Sequence, residues 1–232
     1  MTVAIVFLAA VVRSTLGFGE ALVAVPLLAL VMPVTQAAPL MVLVSITIAA
    51  MVLLQDWRQV HFQSAWRLII ATFAGIPVGL WFLRALPEAT VKMALALVIL
   101  AFSIYSINGR TLRHLTGDGL AWLFGFLAGV LGGAYGMNGP PLAIYGSLRR
   151  WEPAYFRATL QAYFLPAGIV GMAGYWLAGF WTPAVTESYL QSLPGVVLAV
   201  FAGRMIRVRN FAVVVHSALI LIGAVLLIQS WR

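Results

Sequence analysis

The chain has 232 residues, 63% of them hydrophobic and only 9% charged, with a formal net charge of +8. A soluble domain carries roughly 25% charged residues, so too few are present here to coat a water-soluble globule. Cysteine is absent, which excludes a disulfide framework, a thiol nucleophile and a Cys-ligated metal.

The mean hydropathy of +1.02 comes from long apolar blocks, each near the roughly 20 residues that a helix needs to cross a bilayer. The first block, 2–32, is too long for one untilted span: as a single helix it would reach about 46 Å. It is interrupted by Gly17-Phe18-Gly19, and its pieces are too short to cross alone. Nor does its start read as a signal peptide, because residues 1–10 lack a basic segment and the apolar run continues past any cleavage point. Spans are predicted at 36–55, 66–86 and 89–108. A second long block, 118–148, is interrupted at Gly132-Gly133-Ala134-Tyr135-Gly136. Further spans follow at 154–180, 186–206 and 210–230.

The two interrupted blocks correspond. An offset of 115 residues lays Gly17 on Gly132, Leu16 on Leu131, and Pro26-Leu27 on Pro141-Leu142. The expected fold is therefore an all-α membrane protein of two repeats, 1–108 and 109–232. Each has a glycine-broken element (2–32 or 118–148) plus three helices. Corresponding Gly/Pro interruptions in an internal repeat point to a transporter's binding site.

The basic residues test the topology. With both broken elements as re-entrant hairpins, one side carries Arg58, Arg67, Arg110, Arg113, Arg149, Arg150, Arg157, Arg204, Arg207 and Arg209. The other carries Arg84, Lys92 and Arg232, and Arg13 is left inside the membrane. Full crossings spread the charges more evenly, so the positive-inside rule favours hairpins and two repeats of opposite orientation. The same distribution argues for membrane topology rather than a nucleic-acid partner.

Exposed backbone is tolerated at membrane depth only where it is buried in protein or lines a wet cavity. Half-helix N-termini at the breaks would present free N–H groups and a partial positive charge to an anion. The expected binding residues are Gly17, Phe18, Gly19, Gly132, Gly133 and Gly136, with Tyr135 and Asn138 as neutral donors. Pro26, Pro140 and Pro141 are read as structural, and the two adjacent prolines are expected to leave carbonyls of the preceding turn in need of partners. Glycine and proline also serve close packing in membrane helices, which is the plainer reading of either break alone.

Arg13 and Glu20 lie seven apart within the first broken element. A charge at membrane depth costs at least about 2.5–3.5 kcal/mol, so it faces a partner or a cavity. Either the two neutralise each other and hold the hairpin, or Arg13 binds an anion and Glu20 serves as a competing carboxylate or proton carrier. Arg157, near Gln161 and Tyr163, stands at a mouth where it would draw anions or anchor the helix. His216 reads as a packing or interfacial residue, while Glu88, Asp118, Glu152 and Glu187 read as solvated span ends. His61 and His114 carry no ligand spacing. The tryptophans cluster near span boundaries as an aromatic belt.

No Gly-x-Ser-Gly is present and Asp56 and Asp118 lie at span ends, against an intramembrane protease. No Walker A sequence is present either. No enzyme activity, metal or cofactor is expected.

Gly17-Phe18-Gly19-Glu20-Ala21-Leu22-Val23-Ala24-Val25-Pro26-Leu27-Leu28 resembles the first signature of the sulfite exporter TauE/SafE family. Gly129-Val130-Leu131-Gly132-Gly133-Ala134-Tyr135-Gly136-Met137-Asn138-Gly139-Pro140-Pro141-Leu142 resembles the second, and Phe156-Arg157-Ala158-Thr159 the segment after it. The resemblance runs along nearly the whole chain. It implies a multi-pass protein of a plasma membrane, in bacteria the inner membrane, that exports sulfite or a small organosulfonate such as sulfoacetate. The expected partners are the anion and the lipid bilayer; a homodimer is compatible with so small a transporter. The alternatives are an anion channel or a membrane assembly subunit that transports nothing.

Overall fold

The structure, a computed structural model, describes residues 1–56, 62–108, 117–203 and 211–230. Arg58, Arg110, Arg113, Arg204, Arg207, Arg209, Arg232, His61 and His114, with Trp57 and Trp231, lie outside them. The described residues form ten helices and no strand. They are α1 (Thr2–Leu16), α2 (Glu20–Ala29), α3 (Val34–Asp56), α4 (Phe62–Ala85), α5 (Glu88–Ile107), α6 (Ala121–Tyr135), α7 (Gly139–Leu148), α8 (Pro153–Leu177), α9 (Pro183–Gly203) and α10 (Phe211–Ser230).

Among the described residues, four segments are long and apolar enough to cross a membrane: Val34–Leu54, Ala65–Ala85, Glu88–Ile107 and Pro183–Gly203. Large apolar side chains stand exposed along the outside, among them Leu54, Trp81, Trp176, Leu198 and Leu221. In water such a surface would aggregate; it suits hydrocarbon. The chain is an integral membrane protein.

Both long blocks are broken. The 15-residue α1 and α6 reach about 22 Å and the 10-residue α2 and α7 about 15 Å, each short of the roughly 30 Å hydrocarbon core. The first break falls on Gly17-Phe18-Gly19. Gly17 (φ +87°) ends α1 in the left-handed conformation, its N–H donating to the Arg13 carbonyl at 2.6 Å. Gly19 (φ +102°) then precedes α2. The second break lies later than the sequence suggests. Gly132, Gly133 and Tyr135 belong to α6, and the turn is made by Gly136 (φ +67°), Met137 and Asn138. Gly136 and Met137 donate to the carbonyls of Gly132 (2.8 Å) and Leu131 (3.2 Å), closing the helix before the chain reverses. Glycine reaches positive φ without the roughly 1–2 kcal/mol that a Cβ adds there. Gly19→Ala is therefore expected to lose about 1–2 kcal/mol, read as a lower midpoint in thermal unfolding of the purified protein.

The adjacent prolines cost less than the sequence suggests. Pro140 and Pro141 occupy the first turn of α7, where backbone N–H groups have no intrahelical acceptor in any case.

The most extensive packings come in matched pairs. With α1 to α5 set against α6 to α10, α4 on α6 corresponds to α9 on α1, and α4 on α8 to α9 on α3. Two further contacts join counterparts, α3 with α8 and α5 with α10. The two breaks thereby come to face each other beside α3 and α8.

Candidate functional site

Arg13, in the last turn of α1, is 1% exposed. Its Nη1 donates to Glu20 Oε1, at the start of α2, and to Ser45 Oγ of α3 at 2.6 Å. Nη2 donates to Gln161 Oε1 of α8 at 2.8 Å, and the guanidinium lies over the Phe164 ring, 4.6 Å from its centre. Gln161 in turn donates to the Gly17 carbonyl at 3.0 Å. One cation thus ties α1, α2, α3, α8 and the first break together. Its Nε has no partner among the described residues.

The pair is local because the break turns α2 back beside α1, so residues 13 and 20 meet across the turn. The 115-residue offset puts Ala128 where Arg13 stands, so this cation belongs to one half only.

Beside the pair, the N-terminal ends of α2 and α7 meet. A cavity of about 10 Å³ lies between them, lined by Gly19, Glu20, Leu22, Asn138, Gly139 and Phe164 among others. The first intrahelical bond of α2 runs from Val23 N–H to the Gly19 carbonyl (3.1 Å), so the N–H groups of Glu20, Ala21 and Leu22 precede the ladder. Pro140 and Pro141 leave α7 with fewer such donors than α2.

The expected site residues divide accordingly. Arg13, Gly17, Glu20 and Gln161 are brought into one network, and Gly19 and Asn138 line the cavity with Gly136. Phe18 packs edge-on against Phe102 and Phe156, and its ring lies against Gly139. The N–H groups of Gly17 and Gly136 serve as helix caps, and those of Gly132 and Gly133 lie inside α6.

Two residues read as free donors have their hydrogens engaged inside the protein. Tyr135 donates to the Val91 carbonyl at 3.0 Å, and Asn138 Nδ2 to the Ala128 carbonyl at 3.1 Å and to Tyr163 at 3.4 Å. Gly132 has no room for a Cβ because the Asn138 amide rests against it. Arg157 is exposed, and its methylenes cover Gly17. Pro26 sits inside α2.

Sequence reasoning missed Ser45 and Phe164, each an ordinary member of an apolar run. Tyr163, noted only as a neighbour of Gln161, proves fully buried and hydrogen-bonded to Thr72 at 2.5 Å. His216 is buried against Phe102, with ring centres 5.5 Å apart. At the surface, Asp118 does more than mark a span end: it pairs with Arg67 and Arg149, each at 3.0 Å.

A helical membrane bundle in which two broken helices meet beside a buried ion pair is an arrangement suited to membrane transport. The model of the sulfite exporter TauE/SafE family matches residues 2–226, and the chain belongs to that family. Membership implies membrane transport of sulfite or a related anion. No curated protein and no solved structure matches the chain.

Proposed function

We propose that the protein is a secondary transporter that exports a small anion, sulfite or a small organosulfonate, from a bacterial cell across its inner membrane. The observation that carries this reading is the convergence of the α2 and α7 N-terminal ends on one cavity backed by Arg13. Each helix start contributes roughly half an elementary positive charge. The anion's oxygens would take the first-turn N–H groups of α2 and the Gly139 N–H, and Arg13 would supply charge from behind. Glu20, the carboxylate already resident on Arg13, would be displaced as the anion arrives.

The matched packings and the 115-residue correspondence support two repeats, which would be inverted with the three crossings expected of each. A cavity of about 10 Å³ has room for at most about one water. The anion therefore enters only when the tips part, which is the motion alternating access requires.

The test is efflux of radiolabelled sulfite from proteoliposomes, with sulfoacetate, sulfate, thiosulfate and acetate as competitors. Saturable flux with counterflow is expected. Flux without counterflow would mean a channel, and no flux of any anion would mean an assembly subunit.

A further inference from the structure

We propose that the species this site carries is a proton-bearing monoanion, hydrogensulfite rather than the sulfite dianion or a sulfonate; the inference rests on the transporter reading above.

It follows first from the direction of the hydrogen bonds behind Asn138. The Ala128 carbonyl can only accept, so the Asn138 nitrogen faces it at 3.1 Å and the orientation of the amide is fixed. The Thr72 hydroxyl donates its hydrogen to the Gly125 carbonyl at 2.8 Å. In the 2.5 Å contact between Thr72 and Tyr163, Tyr163 is therefore the donor. Its oxygen then accepts the second Asn138 hydrogen at 3.4 Å. The chain runs one way, from Asn138 through Tyr163 and Thr72 to Gly125, away from the cavity. Among the described residues nothing donates to Asn138 Oδ1. What Asn138 has left for a ligand is an acceptor, and an acceptor needs a ligand that brings a hydrogen.

Charge gives the second argument. Arg13 and Glu20 are each at most 3% exposed, and a Glu20 displaced from Arg13 stays within the same buried site, so together they add no net charge to it. What remains is the two helix starts, roughly +0.5 each and about +1 together. That balances a monoanion. A dianion would keep about one uncompensated charge in a low-dielectric site, where charge is costly. A sulfonate balances the charge but leaves Asn138 Oδ1 without a donor. Hydrogensulfite satisfies both requirements.

The experiment is labelled sulfite counterflow in proteoliposomes at fixed total sulfite, across and above the pH range in which sulfite loses its last proton. Methanesulfonate, a permanent monoanion with no O–H, and sulfate serve as competitors. Flux is expected to fall about tenfold per pH unit on the alkaline side, following hydrogensulfite. Methanesulfonate is expected to compete at least about tenfold more weakly than hydrogensulfite, for want of the hydrogen bond to Asn138, and sulfate more weakly still.

A pH-independent flux or equal competition by methanesulfonate would each overturn the proposal while leaving the transporter standing. Absence of flux for every anion would overturn both.

Discussion

Arg13→Ala is expected to abolish anion flux and to cost about 3–5 kcal/mol of stability, the usual penalty for leaving one member of a buried pair alone. Glu20 would be stranded at 3% exposure with its cation gone. Ser45 and Gln161 would lose the donors they now share at 2.6 and 2.8 Å. A loss of flux in this variant alone would therefore say little, since a damaged hairpin and a missing anion ligand look alike.

The informative comparison is the double variant Arg13→Leu/Glu20→Leu. Replacing a whole buried pair with apolar side chains is often neutral or stabilising, so this variant should recover most of the thermal stability. It should still fail to transport, because no buried cation remains beside the α2 and α7 starts. Unfolding midpoints of the purified variants and counterflow in proteoliposomes give the two readouts. A double variant that regained both would reduce the pair to a clasp on the first hairpin and remove Arg13 from the anion's path.

Much of this was legible in the chain because glycine punctuates it. Gly17-Phe18-Gly19 marked the first break, and the lengths of the flanking pieces forbade a plain span. The second break was placed too early. A run such as Gly132-Gly133-Ala134-Tyr135-Gly136 does not say which glycine takes positive φ; of these only Gly136, just past the end of α6, does, while Gly132 makes room for the Asn138 amide. The Arg13–Glu20 pair was foreseen from the cost of burying charge. Ser45, Gln161 and Phe164 complete its shell from 32 or more residues away in sequence, and no local pattern reports such a distance.

Donor direction was illegible for a related reason. Asn138 has both donors and an acceptor, and only the carbonyl of Ala128 and the hydroxyl of Tyr163 decide which of them a ligand meets. Repeated glycines at intervals of four in α4 and α6 were present in the sequence as well. Their meaning depends on which helix each faces.

That seam carries the second large effect. Gly75 and Gly79 of α4 meet Gly129 and Gly133 of α6, and Gly125 lies against Leu68 and Ala71, the small-residue spacing that lets membrane helices approach closely. A Cβ at Gly79 would run into the Val130 carbonyl, one at Gly129 into that of Thr72, and one at Gly133 into that of Ile76. Those obstacles are backbone and cannot rotate away, so the helices would have to separate along their length. Gly129→Leu is expected to cost about 3 kcal/mol or more, seen as loss of monodisperse protein in detergent. Even Gly129→Ala should lower the unfolding midpoint.

The matched contact of α1 with α9 sets the control. There the nearest atom to a Cβ on Gly195 is Cδ2 of Phe7 at 3.6 Å, ordinary van der Waals distance. Gly195→Ala should accordingly be neutral, or stabilising by up to about 1 kcal/mol from helix propensity. If both alanine variants behaved alike, tight approach would not be what holds α4 to α6. If they diverge as expected, close approach is what holds α4 to α6, while α9 comes equally close to α1 only at Gly203, where an added Cβ would meet that of Ser14.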